Sequence, residues 1–333
     1  MKKEIVVSGI RSTGNLHLGN YFGAIKNYVK MQDEYNCYFF VADYHSLTTH
    51  PDPKALKNNV FKVLSENIAC GLDPEKVALY VQSDIPEIPE LYLILNMLAY
   101  KGELEKTASF KDKARAQPDN INAGLLTYPT LMTADILIHN GKYVPVGKDQ
   151  EQHLEMARNF AQRFNHRYGN TFEEPIAFNF GTNLIKIPSL DGNGKMSKSE
   201  NENATIYLND SNEQILKKIK KAKSDEGPKT ENSEMPDYIQ NLFDLMSLVS
   251  EEQTVSKFKN DFNTCNIRYG DMKAKLAEDM IAFITPIRNK TVELQSDEKY
   301  LQNILKIGKE KARESAIKTL NEARKKIGIH YYS

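Results

Sequence analysis

Cys37-Tyr38-Phe39-Phe40-Val41-Ala42, running straight into Asp43-Tyr44-His45, is the stretch that decides the fold. It is a short apolar run, rich in aromatic residues, and it stops abruptly at polar ones. Upstream, Ile5-Val6-Val7 leads into Ser8-Gly9, and Ala24, Ile25, Tyr28, Val29 and Met31 then follow at helical spacing. Downstream, residues 54–70 form an amphipathic pattern, and Val77-Ala78-Leu79-Tyr80-Val81 is a third apolar run. Short apolar runs alternating with helices imply β-α-β units and a buried parallel sheet, hence an α/β fold. Ligands of such sheets sit beyond the carboxyl ends of the strands, which is where residues 8–20 and 43–48 fall.

Further along, residues 91–115 read as one helix, followed by a break at Pro118-Asp119-Asn120. Leu125–Ile138 is apolar and interrupted at Pro129. Tyr143-Val144-Pro145-Val146-Gly147 reads as a late strand, and Asp149 is placed to cap a helix from about Glu151 to Arg167. After Asn209 the strand-like runs cease and helical periodicity dominates. Leu216–Lys223 holds five lysines. In the last helix Leu301, Leu305, Ala312, Ala316, Leu320, Ala323 and Ile327 follow a 3.6-residue stripe, which predicts packing on one face.

The 333 residues are 40% hydrophobic and 26% charged, with a formal net charge of zero. That is an ordinary globular composition, long enough for one large domain with an appendage or for two domains. Any nucleic-acid contact must therefore come from local basic patches. No run approaches the ~18 apolar residues of a membrane span, and the N-terminus lacks the apolar core of a signal peptide. Cys37, Cys70 and Cys265 are widely separated, which argues against a disulfide framework or a cysteine zinc site and fits reduced thiols in the cytoplasm. The chain contains no Trp.

Two segments carry chemistry. His17-Leu18-Gly19-Asn20 follows a loop bounded by glycines, and Lys195-Met196-Ser197-Lys198-Ser199 follows Asp191-Gly192-Asn193-Gly194. Gly9, Gly14 and Gly19 let backbone approach a nucleotide without an intervening Cβ. His17 and Asn20 supply donors at a helix start, and Lys195 and Lys198 place two cations on a loop able to close over leaving pyrophosphate. Activating a carboxylate with ATP needs such groups, because this catalysis is largely positioning and charge stabilisation.

These two segments resemble the hallmark motifs of class I aminoacyl-tRNA synthetases. More narrowly, Ser8-Gly9-Ile10, Asp43-Tyr44-His45, Gly124–Pro129, Met132-Thr133-Ala134-Asp135-Ile136-Leu137 and Val144–His153 are similar to segments of bacterial tryptophanyl-tRNA synthetases, over essentially the whole chain. The resemblance implies a doubly wound, Rossmann-like catalytic domain over 1–208 and a helical anticodon-binding domain over 209–291. A C-terminal helix in 292–333 would pack back on the catalytic domain. It further implies a cytoplasmic homodimer that uses ATP, L-tryptophan and tRNA(Trp), with Mg2+ carried by ATP rather than by protein side chains, and neither DNA nor membrane as partner.

Carried over residue by residue, the resemblance implies His17, Asn20, Lys195 and Lys198 as catalytic. It implies ATP contacts at Arg11, Ser12, Thr13, Gly19, Asn20, Gly147, Lys148, Asp149, Ile187, Lys195, Met196, Ser197, Lys198 and Ser199. It implies tryptophan binding by Asp135, Met132, Tyr128, Gln150, Val144 and Val146, with His45 nearby. An apolar wall of Met132, Val144 and Val146 suits an indole. A carboxylate at Asp135 that accepts the indole N–H rewards tryptophan over phenylalanine, since a buried acceptor left unpaired discriminates strongly. Taken alone, Asp135 reads equally as a helix-start cap. The sequence departs from the family at Arg11, where Gln is common, at Val7, at Tyr44, and at Asn20, which replaces the broader class's final His. The competing readings are a tyrosyl-tRNA synthetase, which shares the fold, and a non-catalytic synthetase-like RNA-binding protein.

Overall fold

The computed structural model describes residues 3–12, 14–147, 151–178, 187–192, 194–196 and 201–331. In chain order its elements are β1 (Ile5–Arg11), α1 (Leu18–Asn20), α2 (Lys26–Glu34), β2 (Asn36–Ala42), α3 (Asp43–Ser46), α4 (Pro53–Ala69), β3 (Ala78–Val81), α5 (Glu87–Asn96), α6 (Lys101–Lys106) and α7 (Ala108–Ala116). They continue with α8 (Ala123–Leu137), β4 (Tyr143–Val144), α9 (Glu151–Tyr168), β5 (Ile176–Ala177), α10 (Asn212–Lys220), α11 (Asp237–Val249), α12 (Glu252–Asn263), α13 (Tyr269–Ser296) and α14 (Glu298–Ile327).

The strands form a parallel sheet of order β3-β2-β1-β4-β5, with Ile5 to Arg11 registered against Asn36 to Ala42. The chain builds outward from β1 to β3, then returns to the other side of β1 with β4. That is the doubly wound order, and it opens a crevice between the carboxyl ends of β1 and β4. Val6, Val7, Cys37, Phe39, Val41 and Tyr80 are wholly buried, as expected of strands covered on both faces. Burial pushes the Cys37 and Cys70 thiols up to about 12.

Contacts divide the chain into two compact units. One joins Met1–Gly14, Tyr28–Gly181 and Leu294–Ser333; the other joins Asn15–Asn27 and Thr182–Glu293. The first holds the sheet and α14. At Gly308 a side chain is excluded, because a Cβ there would lie 1.9 Å from the Leu79 carbonyl oxygen. The helix therefore rests directly on the β3 backbone, with Leu301, Leu305, Ala312, Ala316, Leu320 and Ala323 buried along its stripe. Two charge pairs reinforce this seat, Arg313 to Glu87 and Arg324 to Glu90. The second unit is mainly helical, with Ile215, Ile219, Leu242, Phe243, Met246, Met272 and Met280 in its core. Residues 15–27 and the described residues of 187–208 belong to this unit. Among the described residues, no helix is long and apolar enough to cross a membrane.

Three sequence expectations are corrected. The single helix over 91–115 is three, α5 to α7: the chain is extended at Tyr100 and again at Thr107, whose side chain caps α7 by accepting from the Phe110 N–H. Pro129 does not interrupt its segment. It lies inside α8, where it forfeits one backbone donor, and burial of Leu125, Thr130, Thr133 and Ala134 carries the helix past it. The late strand stops at Val144 because Pro145 has no N–H to offer the ladder.

Candidate active site

A cavity of about 200 Å3 lies at the carboxyl ends of the strands in the sheet-bearing unit. Val7 to Arg11 of β1 form one wall, Val144, Pro145 and Val146 another, and Phe40 and Ala42 of β2 part of the floor. Gly9 is required here, because a Cβ would come within 2.7 Å of the Phe40 ring. From α8 come Tyr128, Met132 and Asp135, four and three residues apart and so on one helix face. Apolar side chains of Val7, Phe40, Met132, Val144 and Val146 share the lining with polar ones, among them Ser8, His45, Tyr128 and Asp135.

Asp135 is the deepest of them, 1% exposed. The Gln82 amide nitrogen donates to its Oδ1 at 2.7 Å and its Oδ2 at 2.9 Å, and His45 Nε2 lies 2.8 Å from Oδ2. An ionised carboxylate only accepts, so the His45 proton facing it belongs on Nε2. Burial raises the Asp135 pKa, while the His45 and Gln82 hydrogen bonds pull it back toward ionisation. Asp135 lies in the last turn of α8, far from its start, which removes the reading of it as a helix-start cap.

Arg11 and Lys113 line the same cavity. The Lys113 ammonium is 3.4 Å from the centre of the Tyr128 ring, a cation–π contact. Burial, with the Arg11 charge added, pushes the Lys113 pKa down to about 8. Ser12 is buried, and its hydroxyl is 2.6 Å from that of Ser46. The cavity thus holds a buried carboxylate and two cations within a partly apolar lining.

The second unit brings the two nucleotide motifs together. The Leu18 N–H donates to the Ile206 carbonyl, and the Asn20 side-chain oxygen accepts from the His17 N–H at 3.0 Å, leaving the Asn20 NH2 for other work. A Cβ on Gly19 would fall 2.8 Å from the His17 ring and 3.6 Å from the Met196 carbonyl. Met196 itself is buried, bonded through its N–H to the Ile187 carbonyl, while Lys195 is exposed. Gly192, at φ +79°, makes the turn that precedes this loop.

The sheet-bearing unit therefore gathers Arg11, Ser12, His45, Tyr128, Met132, Asp135, Val144 and Val146, with Gly147 just beyond. The helical unit gathers His17, Gly19, Asn20, Ile187, Lys195 and Met196. Thr13, Lys148, Asp149, Gln150, Ser197, Lys198 and Ser199 lie outside the described residues. Sequence reading missed Gln82, whose only signal is its place directly after β3. Lys113, by sequence one charge among several in 101–115, lines the cavity and lies against Tyr128. Lys218, one of the five lysines of 216–223, is occupied internally: it pairs with Asp210 at 2.7 Å and donates to the Thr205 carbonyl.

The fold and this pair of motif sites match one family profile, tRNA synthetases class I (W and Y), over residues 1–285. The chain belongs to that family of class I aminoacyl-tRNA synthetases. Within it, the similarity is to the bacterial tryptophanyl branch. A tryptophan–tRNA ligase of Porphyromonas gingivalis is 57% identical over 327 residues, covering 98% of this chain and 99% of that one. A tryptophan–tRNA ligase of Rickettsia conorii is 42% identical over 335 residues, with 98% and 99% covered. The crystal structure of tryptophanyl-tRNA synthetase from Campylobacter jejuni complexed with ADP and tryptophan superposes with a TM-score of 0.88 at 34% identity, covering 97% and 99%.

Proposed function

We propose that this chain activates L-tryptophan with ATP and transfers it to tRNA(Trp). A tryptophan carboxylate oxygen attacks the α-phosphorus, the bond to the β-phosphate oxygen breaks, and tryptophanyl-adenylate forms as pyrophosphate leaves. A hydroxyl of the tRNA 3′-terminal ribose then attacks the acyl carbon and AMP departs. The observation that carries this reading is a buried carboxylate, Asp135, on the floor of an apolar cavity. Asp135 accepts the indole N–H; Val144, Val146 and Met132 cover the rings. Tyr128 and Gln150 orient the ammonium. Phenylalanine would leave one acceptor position of the buried Asp135 carboxylate unfilled, beside those held by Gln82 and His45, and an unfilled buried acceptor is a source of discrimination.

On the nucleotide side, His17 and Asn20, with Arg11, Ser12, Thr13, Gly19, Gly147, Lys148, Asp149 and Ile187, hold ATP. Lys195, Lys198 and their loop neighbours Met196, Ser197 and Ser199 neutralise the departing pyrophosphate, and Lys113 adds a further cation. Mg2+ carried by ATP would, when bound, withdraw charge from the phosphates. The side chains offered here, Arg11, Lys113 and Lys195, are phosphate-seeking cations and not metal ligands. We place catalysis in 1–208, anticodon reading in 209–291, and a supporting helix in 292–333. The exposed apolar side chains of Leu93, Met97 and Tyr100 support a homodimer, and the cytoplasmic location follows from the family resemblance alone.

Two steps test this. Tryptophan-dependent ATP–pyrophosphate exchange without tRNA reports activation, and charging of a tRNA(Trp) transcript reports transfer. Exchange driven by tyrosine instead would overturn the reading, and absence of exchange with every amino acid would leave only RNA binding.

A further inference from the structure

Gln82 is wholly buried at the first position after β3, in the short turn Gln82–Asp84. Its neighbours explain its orientation. A carboxylate offers about four lone-pair positions and no proton, so the amide must present Nε2, not Oε1, to Asp135. The Gln82 Oε1 has no hydrogen-bond partner among the described residues. Leaving a buried amide oxygen unpaired is unfavourable, so the contact on the nitrogen side dominates the geometry. The same nitrogen reaches both carboxylate oxygens, at 2.7 and 2.9 Å. With His45 on Oδ2 at 2.8 Å, two donors meet Oδ2 and one meets Oδ1. Oδ1 therefore keeps capacity for one further N–H.

We infer that Gln82 is a specificity-positioning residue: by bridging both oxygens of Asp135 it fixes the carboxylate plane and directs indole N–H recognition to Oδ1 alone. This rests on the reading of Asp135 as the indole acceptor. Gln82 touches neither substrate nor nucleotide; it acts through Asp135. Without it, the carboxylate rotates about its last bond, and its remaining donor, His45, holds only one oxygen.

The test compares tryptophan with its benzothiophene analogue, β-(3-benzothienyl)alanine, in which sulfur replaces the indole N–H. Both are run in ATP–pyrophosphate exchange with the full chain. In Gln82→Met, which keeps the volume and removes the donor, KM for tryptophan rises on the order of tenfold or more, as expected for losing hydrogen bonds to a charged acceptor. KM for ATP stays within about threefold, since Gln82 makes no bond to the nucleotide. The preference for tryptophan over the analogue falls toward that of Asp135→Asn. A merely structural role would lower kcat for both amino acids and leave the preference intact, and that result would overturn the inference.

Should Gln82→Met not fold, Gln82→Leu, which also removes the donor, carries the same comparison, and an unchanged preference in it contradicts the inference. Failure of the underlying reading looks different: Asp135→Asn would itself retain the wild-type preference.

Discussion

His45 Nε2 lies 2.8 Å from Asp135 Oδ2, joining positions 90 residues apart and linking α3, just past β2, to the last turn of α8. The pair turns an unfavourable burial into a usable acceptor. Burial alone drives Asp135 toward its protonated form, in which one oxygen would donate rather than accept; His45 and Gln82 oppose this. Removing the ring in His45→Ala raises the Asp135 pKa further. We expect tryptophan binding by that variant to weaken most at the acid end. The chain has no Trp, so fluorescence of added tryptophan can be followed directly across pH. A uniform loss at every pH would contradict this role for His45.

The same carboxylate sets a stability trade. The Asp135 pKa is raised in the folded state, so its favourable contribution is complete below the unfolded value near 3.8 and is lost as pH rises through the folded value. Asp135→Asn should therefore unfold at a higher temperature than wild type at neutral pH, with the gain vanishing below about pH 4. Thermal melts at pH 3.5 and 7 check the sign. A gain present at the acid pH and absent at pH 7 would contradict it.

Lys113 gives a prediction on the alkaline side. With its pKa pushed down to about 8, it is charged below that pH and loses its proton above it. Pyrophosphate exchange at sub-saturating ATP should fall through an alkaline limb near that value, and Lys113→Arg should move the limb upward because a guanidinium keeps its charge. Lys113→Met should lower exchange about ten- to a thousandfold, the range for removal of one charged group that steadies the transition state. An unshifted limb in Lys113→Arg would assign it to another group.

Gly308→Ala tests the seat of α14 on β3. The added methyl meets backbone, at 1.9 Å from the Leu79 oxygen, so nothing flexible can yield. Overpacking of this kind costs about 1–3 kcal/mol or more, read as a lower urea midpoint. A midpoint equal to that of wild type would show that α14 is not held there.

The lysines of 216–223 divide into two groups. Lys217, Lys220, Lys221 and Lys223 are exposed, and joint replacement of the first three should weaken tRNA binding and flatten its salt dependence. Lys218 neutralises Asp210, which is 7% exposed on its side chain, so Lys218→Ala should instead destabilise the fold by on the order of 3 kcal/mol. Filter binding across a salt series and chemical denaturation separate the two effects. An unchanged slope in the triple variant would remove this face from RNA contact.

The sheet was legible because buried parallel strands leave unmistakable apolar runs, as at Cys37–Ala42. What the sequence concealed follows from local backbone chemistry. Pro129 reads as a stop, yet tertiary burial on α8 outweighs one missing N–H. Pro145 reads as part of a strand, yet that same missing donor ends β4. His45, Met132 and Asp135 were legible through motif resemblance, and their convergence follows from the strand-end rule. Gln82 was not legible, since a single amide after a strand carries no periodicity, and its importance lies in a partner 53 positions away. Lys113 was visible as a charge; its direction depends on the break at Thr107 that starts α7 anew.

The most direct test of the account is ATP–pyrophosphate exchange by the purified chain, without tRNA, using tryptophan, tyrosine and phenylalanine in wild type and Asp135→Ala. The account predicts exchange with tryptophan alone in wild type, and loss of both the rate and the preference in the variant. Exchange by Asp135→Ala that still favours tryptophan as strongly as wild type would contradict it.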